Sequence, residues 1–218
     1  MNVIKGLITK DILQLKSYKK TLIIFIMVFA FTSISVQDGV ENMLVIMLTL
    51  GFGMFSMASF NYDEFNKADR YILTLPLTKK EVVLSKYILV ICSTVMGSII
   101  GIMLSYIVMF AMNKQVPNIE EIMSVGLGGL LGIGLIEAIQ IPCVYKWGAE
   151  KGRIQMVILT ALLGVILCIG AKANIQLPSN NILEMFSKFL PLIFIGLTII
   201  IYYISYKVAY KIYNKKEI

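Results

Sequence analysis

The sequence predicts an all-α polytopic membrane protein with six transmembrane helices. Three observations carry that prediction. Of the 218 residues, 58% are hydrophobic and only 15% are charged, against about 25% charged in an ordinary soluble domain. The mean hydropathy is +0.81, which excludes a disordered chain and a soluble globular enzyme. The apolar residues fall into six runs separated by polar segments.

A helix rises 1.5 Å per residue, so about 20 apolar residues cross a hydrocarbon core of about 30 Å. The six runs are 21–36, 43–60, 87–112, 122–144, 154–171 and 190–208. They form one transmembrane domain over residues 1–218. The first run is short. It needs Ser17–Lys20 to continue the helix, with lysine ammoniums reaching the headgroups. Its basic front and the Ser33-Ile34-Ser35 triplet superficially fit a signal peptide. A leading segment of about 20 residues and five further spans favour an uncleaved first span.

Charge orients the spans. The net charge is +7. Seventeen of the 20 Lys and Arg fall at the two termini and in the loops after spans two and four. Only Lys114, Lys172 and Lys188 fall in the other loops. The positive-inside rule therefore places both termini of a multi-pass membrane protein in the cytoplasm. The basic excess belongs to this pattern, not to a nucleic-acid surface.

Outside the spans, Val3, Ile4, Leu7, Ile8, Ile12 and Leu15 recur at helical spacing, with Lys5, Lys10, Asp11 and Lys16 off that stripe. Residues 1–20 thus read as an amphipathic interfacial helix; a soluble extension is the other reading. Residues 61–86 are charged yet carry Phe65, Tyr71, Leu73 and Leu75 ahead of Pro76. Thr78 and Glu81 have capping-box spacing, so a helix starts near Thr78 and runs on into span three. Apolar side chains in a charged loop suggest docking of a cytoplasmic partner, or a helix resting on headgroups. Residues 172–189 hold Pro178 and then Ile182, Leu183, Met185, Phe186 and Phe189. They fit a short outer helix before Pro191, lining an exit mouth or lying on the outer leaflet.

Inside the spans, Gly97 and Gly101 form a Gly-x-x-x-Gly pair, and Gly126, Gly128, Gly129, Gly132 and Gly134 crowd span four. Small residues let backbones approach closely in lipid, within the subunit, at a dimer contact or along a moving seam. Met43, Met47, Leu50, Met54 and Met57 repeat at 4-3-4-3 spacing, as a helix seam or an adaptable surface for apolar cargo. Glu137 is the one acidic residue well inside a span, with Gln140 one turn on. An intramembrane carboxyl faces a cavity or a partner rather than lipid. Gating and simple packing both remain open for it.

Absences narrow the function. There is no histidine, hence no histidine triad, metal site or acid–base relay. Cys92, Cys143 and Cys168 sit in apolar runs and read as small buried hydrophobes. No Gly-x-x-x-x-Gly-Lys-Ser/Thr phosphate loop and no Thr-Val-Gly-Tyr-Gly filter occur. The chain itself is expected to hold no cofactor and no metal.

Two stretches resemble a known family. Leu75-Pro76-Leu77-Thr78-Lys79-Lys80, with Ser85-Lys86-Tyr87 after it, is similar to the Leu-Pro-x-Ser/Thr-Arg/Lys-Lys … Ser-Lys-Tyr segment of ABC type-2 transporter permeases. Pro142-Cys143-Val144-Tyr145-Lys146-Trp147-Gly148-Ala149-Glu150-Lys151-Gly152-Arg153 looks like the Pro-Leu-x-x-Lys-Phe-Gly-x-Glu-Lys-Gly-Arg segment of the same bacterial branch. Cys143 and Trp147 depart mildly from that pattern. The resemblance implies one half of an exporter: two six-span permeases, identical or paired with a sister, bound to two ABC ATPase subunits that carry ATP and Mg. It implies that residues 61–86 hold a coupling helix, with Phe65, Tyr71, Leu73, Leu75, Pro76, Lys79 and Lys80 at the ATPase. The second such loop presents Lys146, Glu150, Lys151 and Arg153. Members of that branch export amphipathic or antimicrobial peptides, which sets the expected cargo class. A non-transporting membrane enzyme or an assembly or sensor subunit is the alternative, but no polar catalytic cluster supports an enzyme.

Overall fold

A computed structural model describes residues 2–34, 40–72, 74, 77–112, 118–152, 154–155, 157–158, 161–162, 165 and 181–215. Leu73, Leu75, Pro76, Arg153, Cys168 and the stretch 166–180 lie outside the described residues.

The described chain is helical. Its long elements are α1 (Asn2–Lys16), α2 (Lys19–Ile34), α3 (Val40–Phe65), the short α4 (Ala68–Ile72), α5 (Lys79–Ala111), α6 (Ile119–Trp147) and α7 (Asn181–Lys215). Ala149–Gly152 and the described residues from 154 to 165 are helical too. Among the described residues, four stretches are long and apolar enough to cross a membrane: Asn42–Phe65, Lys79–Ala111, Ile119–Trp147 and Leu192–Lys215. Together they make this a multi-pass membrane protein. The first expected span, α2, has 16 residues, about 24 Å of helix. The expected continuation through Ser17–Lys20 is broken by a turn at Ser17 and Tyr18, and α2 begins at Lys19. The fifth expected span is described only in part.

Local chemistry explains the helix ends. Thr78 caps α5 in extended geometry, and the reciprocal bonds with Glu81 complete the capping box. The α5 helix then runs 33 residues without a break, as the spacing predicts. Glu120 and Glu121 occupy the first turn of α6, where a negative charge complements the exposed amides. Gly148 ends α6 with φ 90°, a left-handed conformation that side chains rarely adopt. The expected separate outer helix before Pro191 merges into α7, which carries that proline inside it.

Packing explains part of the glycine pattern. The α5 helix lies along α3. A Cβ at Gly97 would fall 2.6 Å from Phe52 Cβ, and one at Gly101 would fall 2.9 Å from Val45 Cα. The Gly-x-x-x-Gly pair therefore serves close packing within the subunit. Gly128 and Gly132 are different: among the described residues nothing lies within 4 Å of a Cβ built at either.

The largest apolar core sits at the end of the bundle nearest α1. It joins Leu7, Phe60, Val83, Tyr87, Ile141 and Tyr213, among others. Pro142 lies inside α6 and has no amide to donate, which orphans the carbonyl four residues back. That carbonyl, on Ala138, accepts a hydrogen bond from the Ser205 hydroxyl of α7. Ser205 has one proton to give, so Tyr87 of α5 donates to it, at 2.5 Å. A proline in one helix thereby fixes the register of three.

Candidate functional site

The site is built at the α1 end of the bundle. Its base is a buried charge cluster. Lys86 of α5 is 4% exposed. Its ammonium donates to Asp11 Oδ1 of α1 at 3.0 Å and to Ser59 Oγ of α3 at 2.5 Å. It also pairs with Asp63 Oδ2 of α3 at 2.5 Å. Those three partners use all three of its protons. Asp63 Oδ1 accepts from Lys10 at 2.7 Å and from Gln14 at 3.1 Å. Lys10 also lies 3.2 Å from Asp11. Two cations face two anions, so the cluster is neutral, and it fastens α1 to α3 and α5. Burial pulls the Lys10 ammonium down, but the hydrogen bond to Asp63 and the charges of Asp11 and Asp63 outweigh it, leaving its pKa raised above the usual lysine value.

Above this base the chain turns outward. Lys67 closes α3 in the left-handed region, with φ 50°. Phe65 just before it is 88% exposed, and Tyr71 on α4 is 74% exposed. Ile72, the next residue, is buried and anchors α4 in the core. Of the expected docking residues, Lys79 and Lys80 turn toward α7. Lys79 donates to the Asn214 carbonyl at 3.1 Å, one of the carbonyls a helix leaves unpaired at its end. Lys80 lies 5.6 Å from the Tyr210 ring centre.

The second connection at this end is tied to the first. The Ala149 amide donates to Glu64 Oε2 at 2.5 Å, capping the helical residues that follow. A Cβ at Gly148 would fall 2.6 Å from Glu64 Oε1, so glycine is required there for space as well as for φ. Lys146 lies 4.7 Å from the Trp147 ring centre, while Glu150 and Lys151 are exposed. Between the two connections lies a cleft of about 540 Å³, lined by Tyr18, Asn61, Tyr62, Glu64, Phe65, Asn66 and Glu150. Phe65 and Glu150, expected on separate loops, thus line one cleft.

Deeper in the bundle, Glu137 is fully buried. Thr94 of α5 donates to its Oε2 at 3.2 Å and Tyr202 of α7 at 3.3 Å. Its Oε1 has no hydrogen-bond partner among the described residues. A Cβ built at Gly53 of α3 would collide with that oxygen. Glu137 therefore sits among α3, α5 and α7, away from the lipid-facing surface. Gln140 is also buried, at 4% exposure, with its Oε1 unpaired among the described residues.

Sequence reasoning singled out Phe65, Tyr71, Glu137 and Gln140 as candidates and did not single out Asp11, Asp63, Lys86 and Glu64. The signal for Lys86 was present: it stands where the helix begun at Thr78 is already entering the apolar run.

A comparison with curated proteins gives no significant match. The family model described as "ABC-2 family transporter protein" matches residues 6–214, nearly the whole chain and both quoted motifs. The chain belongs to the ABC-2 transporter family and is a membrane permease subunit of an ABC transporter.

Proposed function

We propose that this permease is one half of an ATP-driven exporter whose α1 end faces the cytoplasm and docks the ABC ATPase. The observation that carries the reading is the exposure of Phe65 and Tyr71 at a polar end of an apolar bundle. Large apolar side chains held out beside a polar cleft mark a protein contact. The family implies association with an ABC ATPase, and the positive loops favour this side for that partner.

The proposed unit has six spans per chain. It pairs with a second copy or a sister permease and binds two ATPase subunits, which hold ATP and Mg. The cargo is an amphipathic or antimicrobial peptide, or a related hydrophobic compound. ATPase closure pushes on residues 61–86, and the capping box joins that push to α5. That helix, 33 residues long, spans about 50 Å and acts as a rod. Lys79 and the buried cluster carry α7 and α1 with it, so the helix seams open outward. Glu137, at the meeting of three helices, is the proposed gating residue on the inside of that seam.

Topology is tested with single cysteines at Asn2 and Asn214 in a chain whose three native cysteines are replaced. Neither reacts with an impermeant maleimide in intact cells, and both react after permeabilisation. Labelling of either in intact cells contradicts the cytoplasmic placement.

A further inference from the structure

On their outer surfaces α5 and α7 each carry an apolar stripe. On α5 it is Leu84, Ile91 and Val95, all exposed and on one helix face, with Lys80 one turn before Leu84. On α7 it is Ile193, Ile200 and Ile204, also exposed, and the same face ends in Tyr203, Lys207 and Lys211. In a multi-pass protein such stripes meet acyl chains. The two stripes end side by side. Lys79 of α5 donates to the Asn214 carbonyl of α7 at 3.1 Å, and the Lys80 ammonium lies 5.6 Å from the Tyr210 ring centre. Lys207 lies 4.7 Å from the Tyr203 ring centre. About 20 residues cross the hydrocarbon core, so a span that begins at Leu192 reaches the headgroups near Lys211. Lys80, Lys207 and Lys211 are exposed at this corner, and among the described residues no carboxylate lies within ion-pair distance of any of them. Glu81, the next residue of α5, turns its carboxylate back onto Thr78. A tyrosine face attracts a cation but does not neutralise it.

We propose that this corner of α5 and α7 binds the headgroup of an anionic phospholipid, with Lys80, Lys207 and Lys211 on its phosphate and the acyl chains along the two stripes. The buried cluster at the same end of the bundle pairs its lysines with Asp11 and Asp63; these three take their counter-ion from outside the chain. Each ammonium is a compact charge with three protons to give, which suits phosphate oxygens. Basic corners between helices at a membrane surface collect anionic lipids for this reason. The apolar stripes select lipid over a soluble phosphate. Leu84 and Ile204 each lie one turn from a lysine, so a ligand that joins an anion to long hydrocarbon meets both surfaces at once. Tyr203, 58% exposed, stands between them, as tyrosines do at headgroup level. Such a site needs only a multi-pass membrane protein, whatever its cargo and wherever the ATPase docks.

The test titrates the purified full chain, in a neutral detergent, with dimyristoyl phosphatidylglycerol and counts bound lipid by native mass spectrometry. Phosphatidylcholine with the same acyl chains and water-soluble glycerol 3-phosphate are the comparison ligands. The wild-type chain is expected to take its first phosphatidylglycerol at a concentration about twentyfold below that for phosphatidylcholine. Each lysine contributes about fivefold, so Lys80→Gln/Lys207→Gln/Lys211→Gln should erase the preference. A second triple variant, Lys5→Gln/Lys67→Gln/Lys151→Gln, removes the same charge from exposed lysines elsewhere at this end and should keep the preference within about threefold. Replacing Lys80, Lys207 and Lys211 by arginine, which preserves the charge, should keep it too. If the first triple variant fails to fold, Lys207→Gln alone is read, with its loss of about fivefold. Equal losses in the two glutamine triples would mean diffuse surface charge and overturn the site. So would a preference indifferent to Lys80, Lys207 and Lys211. Displacement of phosphatidylglycerol by an equal concentration of glycerol 3-phosphate would show a phosphate site and not a lipid one, and overturns the proposal as well.

Discussion

Two buried polar regions of this molecule solve the same problem in opposite ways. At the α1 end, Lys10, Asp11, Asp63 and Lys86 cancel one another's charge, and Asp11, Asp63 and Ser59 together saturate the Lys86 ammonium. In the bundle interior, Glu137 has no cation within ion-pair distance among the described residues and leaves one oxygen unmet beside Gly53. The first arrangement balances its charges across three helices, which fixes geometry, although Asp11 Oδ2 has no hydrogen-bond partner among the described residues. The second has no counter-ion among the described residues, and a buried polar group without one is a place where a second conformation or a changed protonation state costs little extra. Fastening at one end and adjustability in the middle suit a permease whose helices move around a fixed end, the end proposed for docking.

The comparison breaks first at Lys86. Lys86→Met should destabilise the chain by about 3–5 kcal/mol, because two buried carboxylates lose a shared counter-ion. Replacing Asp11 by Leu in the same chain should recover part of that loss. Thermal unfolding in detergent measures both; a single variant within error of wild type would show that the cluster is not closed.

Gly53→Ala comes next. Its methyl would meet the Glu137 carboxylate, and overpacking of this kind costs about 1–3 kcal/mol. Combining it with Glu137→Ala should relieve the strain. The same unfolding assay, read as a double-mutant cycle, decides whether the two residues interact.

An exposed bond gives the scale for both. Thr78→Ala removes the cap from α5 and should cost about 1 kcal/mol, less than either interior change. A larger loss would mean that the capping box holds residues 61–86 in place as well as starting the helix.

The smallest effect on stability is expected at Glu137→Gln, within about 1 kcal/mol, because the amide oxygen still accepts from Thr94 and Tyr202. Transport and coupled ATP hydrolysis should nevertheless change if Glu137 takes part in gating. Wild-type transport with normal expression would reduce it to a packing residue.

Much of this arrangement was legible in the residues. Apolar run length found four of the six expected spans as helices long and apolar enough to cross a membrane, the Thr78–Glu81 spacing found the start of α5, and Gly97 with Gly101 marked a close approach. The charge cluster was not legible. Helical periodicity assigned Asp11 and Lys10 to a polar face, and polar faces usually meet water. Only the fold shows that this face turns onto α3 and α5, where Asp11 becomes 1% exposed. Lys86 was counted among the loop lysines because hydropathy averages over a window and does not see which way one side chain points. The Glu64 cap was hidden for a related reason: it joins residues 85 positions apart, beyond any local pattern. Ser205 was unreadable until Pro142 and α7 were seen side by side.

The docking face is the central claim, and two exposed phenylalanines at opposite ends of the bundle test it most directly. Phe65 is 88% exposed beside the cleft, and Phe110 is 80% exposed near the far end of α5. Each is replaced by cysteine in a chain without native cysteines, coexpressed with the ABC ATPase and treated with a short bifunctional maleimide. The account predicts that Phe65→Cys joins the permease to the ATPase and that Phe110→Cys does not. Cross-linking through Phe110→Cys, with none through Phe65→Cys, would contradict it.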